Sequence, residues 1–321
     1  MLDRLIRKCA SVIPASVRNR MVANIGRALF RGGVPRTLLP IDAIKYIPNE
    51  AGSEEYVLAK NRDPDVKTCK LGLPIPPQPL RLGYGSTDEE YLLLAEDHVG
   101  QMLDILAETD FSIQPGNRVL EFGCASGRMI RMLKKYAETC EIWGSDIDAK
   151  LIHWDQLNLS PPFHFAVTTT IPHLPFEDGY FNLVYAGSVF THVEDLTRAW
   201  LLELRRVLAP GGRLYVTIHD RQTMKLLEPD YIEKHLPQVL EKTGQNREGQ
   251  RRLSNMLVRN EFYQKTKNTP FEMLVLGRDT VSMVFFDSTF FRKLASPMFE
   301  TLLVRPEAYT YQTAIVLGRV P

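Results

Sequence analysis

Four cysteines in 321 residues, Cys9, Cys69, Cys124 and Cys140, form no CxxC pair and no His/Cys cluster at the spacing of a structural zinc site. Neither a disulfide framework nor a metal module is predicted, and a reducing, cytoplasmic setting fits. No run approaches the ~18 apolar residues that cross a bilayer. The first thirty residues, broken by Arg18, Arg20 and Arg27, lack a secretory apolar stretch, so no exported form is expected. Net charge is only +1, which argues against a nucleic-acid partner held by overall positive charge. Internal repeats are absent too. What is present is an ordinary globular composition, 44% hydrophobic and 24% charged, enough for a packed core.

Charge is unevenly spread. Between Met1 and Arg36 eight Arg and Lys stand against one acid, Asp3, a net +7, which leaves −6 for the rest. Leu2, Leu5, Ile6, Cys9 and Val12 form an apolar stripe beside Arg4, Arg7 and Lys8, the pattern of an interfacial helix. Residues 1–36 are read as a peripheral contact with an anionic membrane surface or as a helix capping the core, and the sequence leaves both open. Residues 1–80 form a basic extension ending in LPIPPQP at 73–79, too proline-dense for helix or central strand. That marks a boundary, with one domain over 81–321.

Short β-rich runs alternate with helical periodicity from 81 to 220, as in a parallel sheet covered by helices on both faces. Thr87 and Glu90 make a capping box, and Tyr91, Leu94, Ala95, His98, Val99, Met102 and Leu106 recur at helical spacing, predicting a helix over 88–109. Strands are predicted at 117–122, 140–145, 163–168, 180–186 and 213–219, with a helix from about 127 and another closing on Arg205 and Arg206 before Pro210-Gly211-Gly212. Residues 221–275 are polar and read as a mainly helical insertion. The runs at 299–307 and 311–319 are too close for a parallel crossover and should pair as an antiparallel hairpin.

The segment VLEFGCASGR at 119–128 carries the most chemistry. A strand ends at an acid, Glu121, and turns through Gly123 and Gly127, where missing side chains let a ligand approach the backbone. Asp146 follows Gly123 by 23 residues, the usual distance from a glycine-rich turn to an acid that holds ribose hydroxyls. Asp146 as a helix cap is the competing reading. Arg128 and Ala125 break the G-x-G-x-x-G pattern of nicotinamide enzymes, which weakens a pyrophosphate ligand.

Taken with GSDID at 144–148, LPFEDGYFNLVYAGSVFTHVED at 174–195 and LRRVLAPGGRLYVTIHD at 204–220, this segment resembles the class I S-adenosylmethionine-dependent methyltransferases that act mostly on small molecules. The resemblance covers about residues 84–220. It implies an α/β fold with a mostly parallel seven-stranded sheet, helices on both faces and an antiparallel C-terminal hairpin. It further implies that Glu121, Gly123, Cys124 and Gly127 surround the methionine part of S-adenosylmethionine, that Asp146 holds the ribose and that Ile147 lies against adenine. Tyr84, with Gly85, resembles an upstream segment that touches the cofactor's carboxylate. Two departures stand out. Ala125 replaces a usual Gly, tolerable if its φ is negative, and Thr170 replaces an acid that often contacts adenine's amino group.

The acceptor is not written in the fold. AGSV at 186–189 lacks the motif of adenine-N6 enzymes, only Glu194 stands where protein-arginine enzymes carry two glutamates, and no metal-binding acid cluster assembles. A small-molecule, sugar or lipid-linked acceptor remains, with transfer to oxygen favoured. His219 and then His192 are the candidate general bases, against packing or capping roles for each. Phe285, Phe286, Phe290 and Phe291 are read as pocket wall or as core. A catalytically inactive methyltransferase-like binding or regulatory subunit, and an aminopropyl transferase, stay open as alternatives.

Overall fold

The computed structural model describes residues 66–226, 228, 261–276 and 282–320. The membrane-facing reading of residues 1–36 and most of the 221–275 insertion lie outside them.

Among the described residues, nine strands are β1 (Arg118–Phe122), β2 (Glu141–Asp146), β3 (His164–Val167), β4 (Phe181–Ala186), β5 (Leu208–Ile218), β6 (Met273–Leu276), β7 (Met283–Phe286), β8 (Phe299–Tyr309) and β9 (Gln312–Arg319). The same residues form six α-helices, α1 (Asp88–Ala107), α2 (Ala149–Asn158), α3 (Thr197–Val207), α4 (Arg221–Leu226), α5 (Glu261–Thr266) and α6 (Ser288–Ala295). Seven strands form one sheet in the order β3-β2-β1-β4-β5-β9-β8. The first five run parallel, while β9 is antiparallel to both β5 and β8. The predicted fold class is the one observed.

Alternation along the strands assigns the two faces. Val119, Leu183, Tyr185, Tyr215 and Val316 face one apolar layer, which contains Tyr91, Val99 and Met102 of α1. Leu120, Phe122, Val184, Val216 and Leu317 face the other, with Trp200 and Leu204 of α3 and Phe291 of α6. Both faces of the central strands are buried, so their sequences read as nearly continuous apolar runs. Phe286 and Phe291 belong to this core, and Phe285 to a third apolar cluster with Met224, Tyr263, Leu274, Leu276 and Met283. That cluster joins α4, α5 and the two-stranded sheet of β6 and β7.

Local chemistry explains the helix starts. Thr87 caps α1 by accepting from the Glu90 N–H at 3.1 Å. The reciprocal half of the expected capping box is displaced by one residue, because the Glu90 carboxylate accepts from the N–H and hydroxyl of Ser86 at 2.7 and 2.5 Å. Asp148 caps α2 through the N–H groups of Lys150 and Leu151. The helix expected from about 127 forms only a 3₁₀ turn at Ile130–Leu133. The reason is local: the Gly127 carbonyl, which an α-helix would offer to the N–H of residue 131, accepts instead from the Arg131 side chain at 2.8 Å. Backbone N–H groups there reach three residues back, Met132 to Met129 and Lys134 to Arg131.

The proline-rich stretch packs onto this turn. Leu73, Ile75 and Leu80 are buried. Arg131 donates to the Pro74 carbonyl at 2.8 Å and Lys134 to that of Leu71 at 2.5 Å.

Gly127 has φ +66°, and a Cβ there would lie 2.4 Å from Leu159 Cδ1, so this glycine serves close packing against the end of α2. Gly211 has φ +74° and open space around it. Gly127→Ala should therefore cost about 2–4 kcal/mol of unfolding free energy, strain plus overpacking, and Gly211→Ala only about 1. Urea denaturation of both variants measures it; equal losses would show that the Leu159 contact gives way freely.

Candidate functional site

Strand order reverses between β1 and β4, with β2 and β3 on one side and β5 on the other. Open α/β sheets bind ligands in the crevice at the carboxyl ends of strands flanking such a reversal. Here those ends are Phe122-Gly123 and Ala186-Gly187, and Glu121, Gly123, Cys124 and Gly127 of the predicted set lie at or just beyond the first of them.

The turn after β1 is tied to the end of β2. The Ser145 carbonyl accepts from the N–H groups of Gly123 (2.7 Å) and Cys124 (3.0 Å). The Asp146 carboxylate accepts from the N–H groups of Ala125 (2.8 Å) and Asp148 (2.9 Å). Ala125 reaches Asp146 with φ +50°, so the condition under which an alanine would be free of strain there, a negative φ, is not met. Left-handed geometry in a non-glycine residue costs energy, and the curl that brings its N–H onto Asp146 requires it. Asp146 is not the helix cap, since Asp148 fills that role. Burial pushes the Asp146 carboxyl up, opposed by the backbone N–H groups of Asp148, Ala125 and Ile147.

The other candidates fall on two sides of the turn. The Cys124 side chain is buried behind it, its sulfur 2.8 Å from where a Cβ on Gly144 would stand, and burial pushes its thiol far up. It offers the site backbone atoms alone. Gly123, with φ +82°, faces Val189, whose Cγ2 would be 2.3 Å from an added Cβ. Glu121 is buried and accepts from the Tyr185 hydroxyl at 3.0 Å, and burial raises its carboxyl to about 8. Ile147 and Ile171 present apolar side chains to solvent, 60% and 69% exposed. Thr170, beside Ile171, is exposed in the loop after β3.

Tyr84 lies at the other end of the turn, its ring centre 4.1 Å from the Arg128 guanidinium carbon. Arg128 and Tyr309 were not among the residues singled out from the sequence, although Arg128 closes the motif itself. Tyr309 sits 181 residues away, and nothing local announces their contact.

At the ends of β4 and β5, Ser188 adopts φ +61° and its N–H donates to the Thr217 hydroxyl at 2.7 Å. Thr217 donates to Gln312 Oε1 at 2.6 Å, and the Gln312 amide donates to the Ser188 hydroxyl at 2.8 Å, closing a ring. His219 is buried between Phe285 and Tyr311, ring centres 5.0 and 5.9 Å away, and neither ring nitrogen makes a well-formed hydrogen bond. Burial and the nearby His192 push its pKa down to about 3, so it is neutral and weakly basic. His192 is exposed and donates through Nδ1 to the Ser282 carbonyl at 2.8 Å.

These residues fit S-adenosylmethionine. Each Asp146 oxygen takes one backbone N–H and keeps a lone pair for a ribose hydroxyl. Beside it stand the exposed apolar side chains that an adenine ring would cover. Among the described residues, no group of three or more His, Cys, Asp or Glu is placed to hold a metal ion.

The profile of the methyltransferase domain family matches residues 120–216. The chain is 27% identical over 139 residues to a 2-phytyl-1,4-naphthoquinone methyltransferase of Trichormus variabilis, covering 41% of this chain and 60% of that protein. It is 30% identical over 128 residues to a ubiquinone/menaquinone biosynthesis C-methyltransferase of Cupriavidus pinatubonensis, covering 37% and 50%. The chain thus spans less than two thirds of the length of these relatives. A solved structure of a methyltransferase from Methanosarcina mazei superposes with a TM-score of 0.44 at 19% identity, covering 64% of this chain and 94% of that one.

The raised Glu121 pKa has a consequence for stability. The folded state keeps this proton up to about pH 8, whereas the unfolded chain releases it near 4.5. Its contribution is therefore complete below about 4.5 and declines as pH rises toward 8. Glu121→Gln, neutral at every pH, should gain on the wild type between pH 5 and 8 in urea denaturation. A difference independent of pH would mean that Glu121 ionises normally in the fold.

Proposed function

We propose that this chain, whose residues 120–216 match the methyltransferase domain family, transfers a methyl group from S-adenosylmethionine to a small, largely apolar acceptor. The observation that carries this reading is the Asp146 carboxylate, fixed by Ala125 and Asp148 beside the glycine-rich turn, with Ile147 exposed next to it. Asp146 would accept the ribose hydroxyls, Ile147 and Ile171 would cover adenine, and Glu121 and Gly123 would flank the methionine part. Bound S-adenosylmethionine would supply an electrophilic methyl on a sulfonium.

The chain's task is then alignment. An acceptor reaches the end of β1 from the ends of β4 and β5, where Ser188, Gln312 and His219 stand, and correct placement of nucleophile and methyl supplies much of the rate. His219, neutral and with unspent ring nitrogens, would accept a hydrogen bond from an acceptor hydroxyl. Its depressed basicity limits it to orienting and polarising that group. Transfer to oxygen is accordingly the first reading. Transfer to a ring carbon is the second, favoured by the relatives, one named for a naphthoquinone and the other as a C-methyltransferase.

Calorimetry should show S-adenosylhomocysteine binding to the wild type, and Asp146→Ala should weaken it about 10- to 100-fold through lost charge-assisted hydrogen bonds. Label from methyl-tritiated S-adenosylmethionine should appear in extracted apolar metabolites, and fragmentation of the product distinguishes oxygen from carbon. Cofactor binding without transfer to any extract fraction would favour the inactive binding subunit. His219→Ala should lower kcat about 10- to 100-fold with unchanged cofactor affinity; unaltered turnover would leave alignment alone.

A further inference from the structure

The arginine that closes the glycine-rich turn is held by side chains from distant parts of the chain. Arg128 is only 5% exposed. Its guanidinium carbon lies 4.1 Å from the ring centre of Tyr84, ahead of α1, and 5.7 Å from that of Tyr309, at the end of β8. Nη2 donates to the Tyr309 hydroxyl, which donates in turn to the Tyr84 hydroxyl at 3.4 Å. Tyr309 is itself fixed. Its ring stacks on His98 of α1 at 3.8 Å and packs against Gly187, where a Cβ would come within 2.9 Å of it. The other terminal nitrogen of Arg128, Nη1, is buried and has no hydrogen-bond partner.

A guanidinium stays charged at any pH the fold survives, and a buried charge with an unspent N–H calls for an anion or further acceptors. The groups facing Arg128 supply none at neutral pH. Glu121 keeps its proton to about pH 8, burial holds the Tyr91 and Tyr309 hydroxyls protonated, and burial and Arg128 together keep His98 neutral. A planar carboxylate would satisfy both the charge and the free N–H.

We propose that Arg128, clasped by Tyr84 and Tyr309, binds the α-carboxylate of the cofactor's methionyl end, with Tyr309 as the residue that positions it. The inference rests on the cofactor reading above. It assigns the turn a second duty, since the segment that meets Asp146 through Ala125 ends in Arg128. One short stretch of chain then provides an acceptor for ribose hydroxyls and a cation for the carboxylate, the two polar ends of the cofactor. It also gives the C-terminal hairpin a part in the cofactor site, through Tyr309.

The test compares S-adenosylhomocysteine with its decarboxylated amine, S-adenosyl-3-thiopropylamine, by calorimetry. The wild type should prefer the carboxylate ligand by about 10- to 100-fold. Arg128→Met should bring the two affinities to within about threefold by weakening the carboxylate ligand alone, and Tyr309→Phe should reduce the preference partway. Should the methionine variant fail to fold, Tyr309→Phe, which removes one hydroxyl, carries the comparison. An unchanged preference in the folded variants, or equal weakening of both ligands, would overturn the assignment, including the case in which an acceptor's carboxylate is what Arg128 meets. Wild-type protein that binds neither ligand would overturn the cofactor reading along with it.

Discussion

The end of β2 holds the turn that follows β1, and the site is organised around that grip. Register pairs Phe122 with Ser145, which brings the Ser145 carbonyl under Gly123 and Cys124 and the Asp146 carboxylate under Ala125. Three residues of the turn, Gly123, Ala125 and Gly127, take positive φ. Two are glycines and adopt it freely; Ala125 does so at a cost that its bond to Asp146 offsets. The carboxylate at the end of β2 is thereby set in one orientation by backbone groups, independent of any neighbouring rotamer.

Around the turn, burial suppresses formal charge. Glu121, Tyr185, Tyr309, His98 and His219 are all shifted toward their neutral forms, mainly by desolvation. Hydrogen bonds and stacking then give direction to groups that carry no net charge, as in the closed ring of Ser188, Thr217 and Gln312. In such surroundings a remaining charge acts at greater range than it would in water.

The fold was legible in the sequence because its determinants are local. Each predicted strand of the main sheet appears within a few residues of its expected limits, and the hairpin of β8 and β9 follows from the short link between two β-rich runs. Asp146 was legible for the same reason, through its spacing from Gly123. What escaped was set by particular side-chain contacts, near or distant in the chain. The α-helix expected after 127 gave way to a 3₁₀ turn because the Arg131 side chain takes the Gly127 carbonyl. The sign of φ at Ala125 depends on Asp146, a partner on another strand. Of the four phenylalanines read as wall or core, Phe285, Phe286 and Phe291 are fully buried, the last two packed against each other with ring centres 5.1 Å apart. Arg128 and Tyr309 meet across 181 residues, a distance over which no periodicity or motif carries information.

Arg131 shows how unevenly a fold can distribute its tolerance for substitution. Its fully buried guanidinium bonds the carbonyls of Gly127, Ser126 and Pro74, and these are main-chain atoms that every amino acid possesses. The attachment itself does not use the side chains at 74 and 126, which are buried for other reasons, Ser126 meeting the Tyr91 hydroxyl at 3.3 Å. It does depend on the side chain at 131, because a lysine ammonium lacks the fork that spans three separate carbonyls. The polar attachment of Pro74 to the turn consequently rests on one genetic position on one side and on the generic chemistry of the peptide bond on the other.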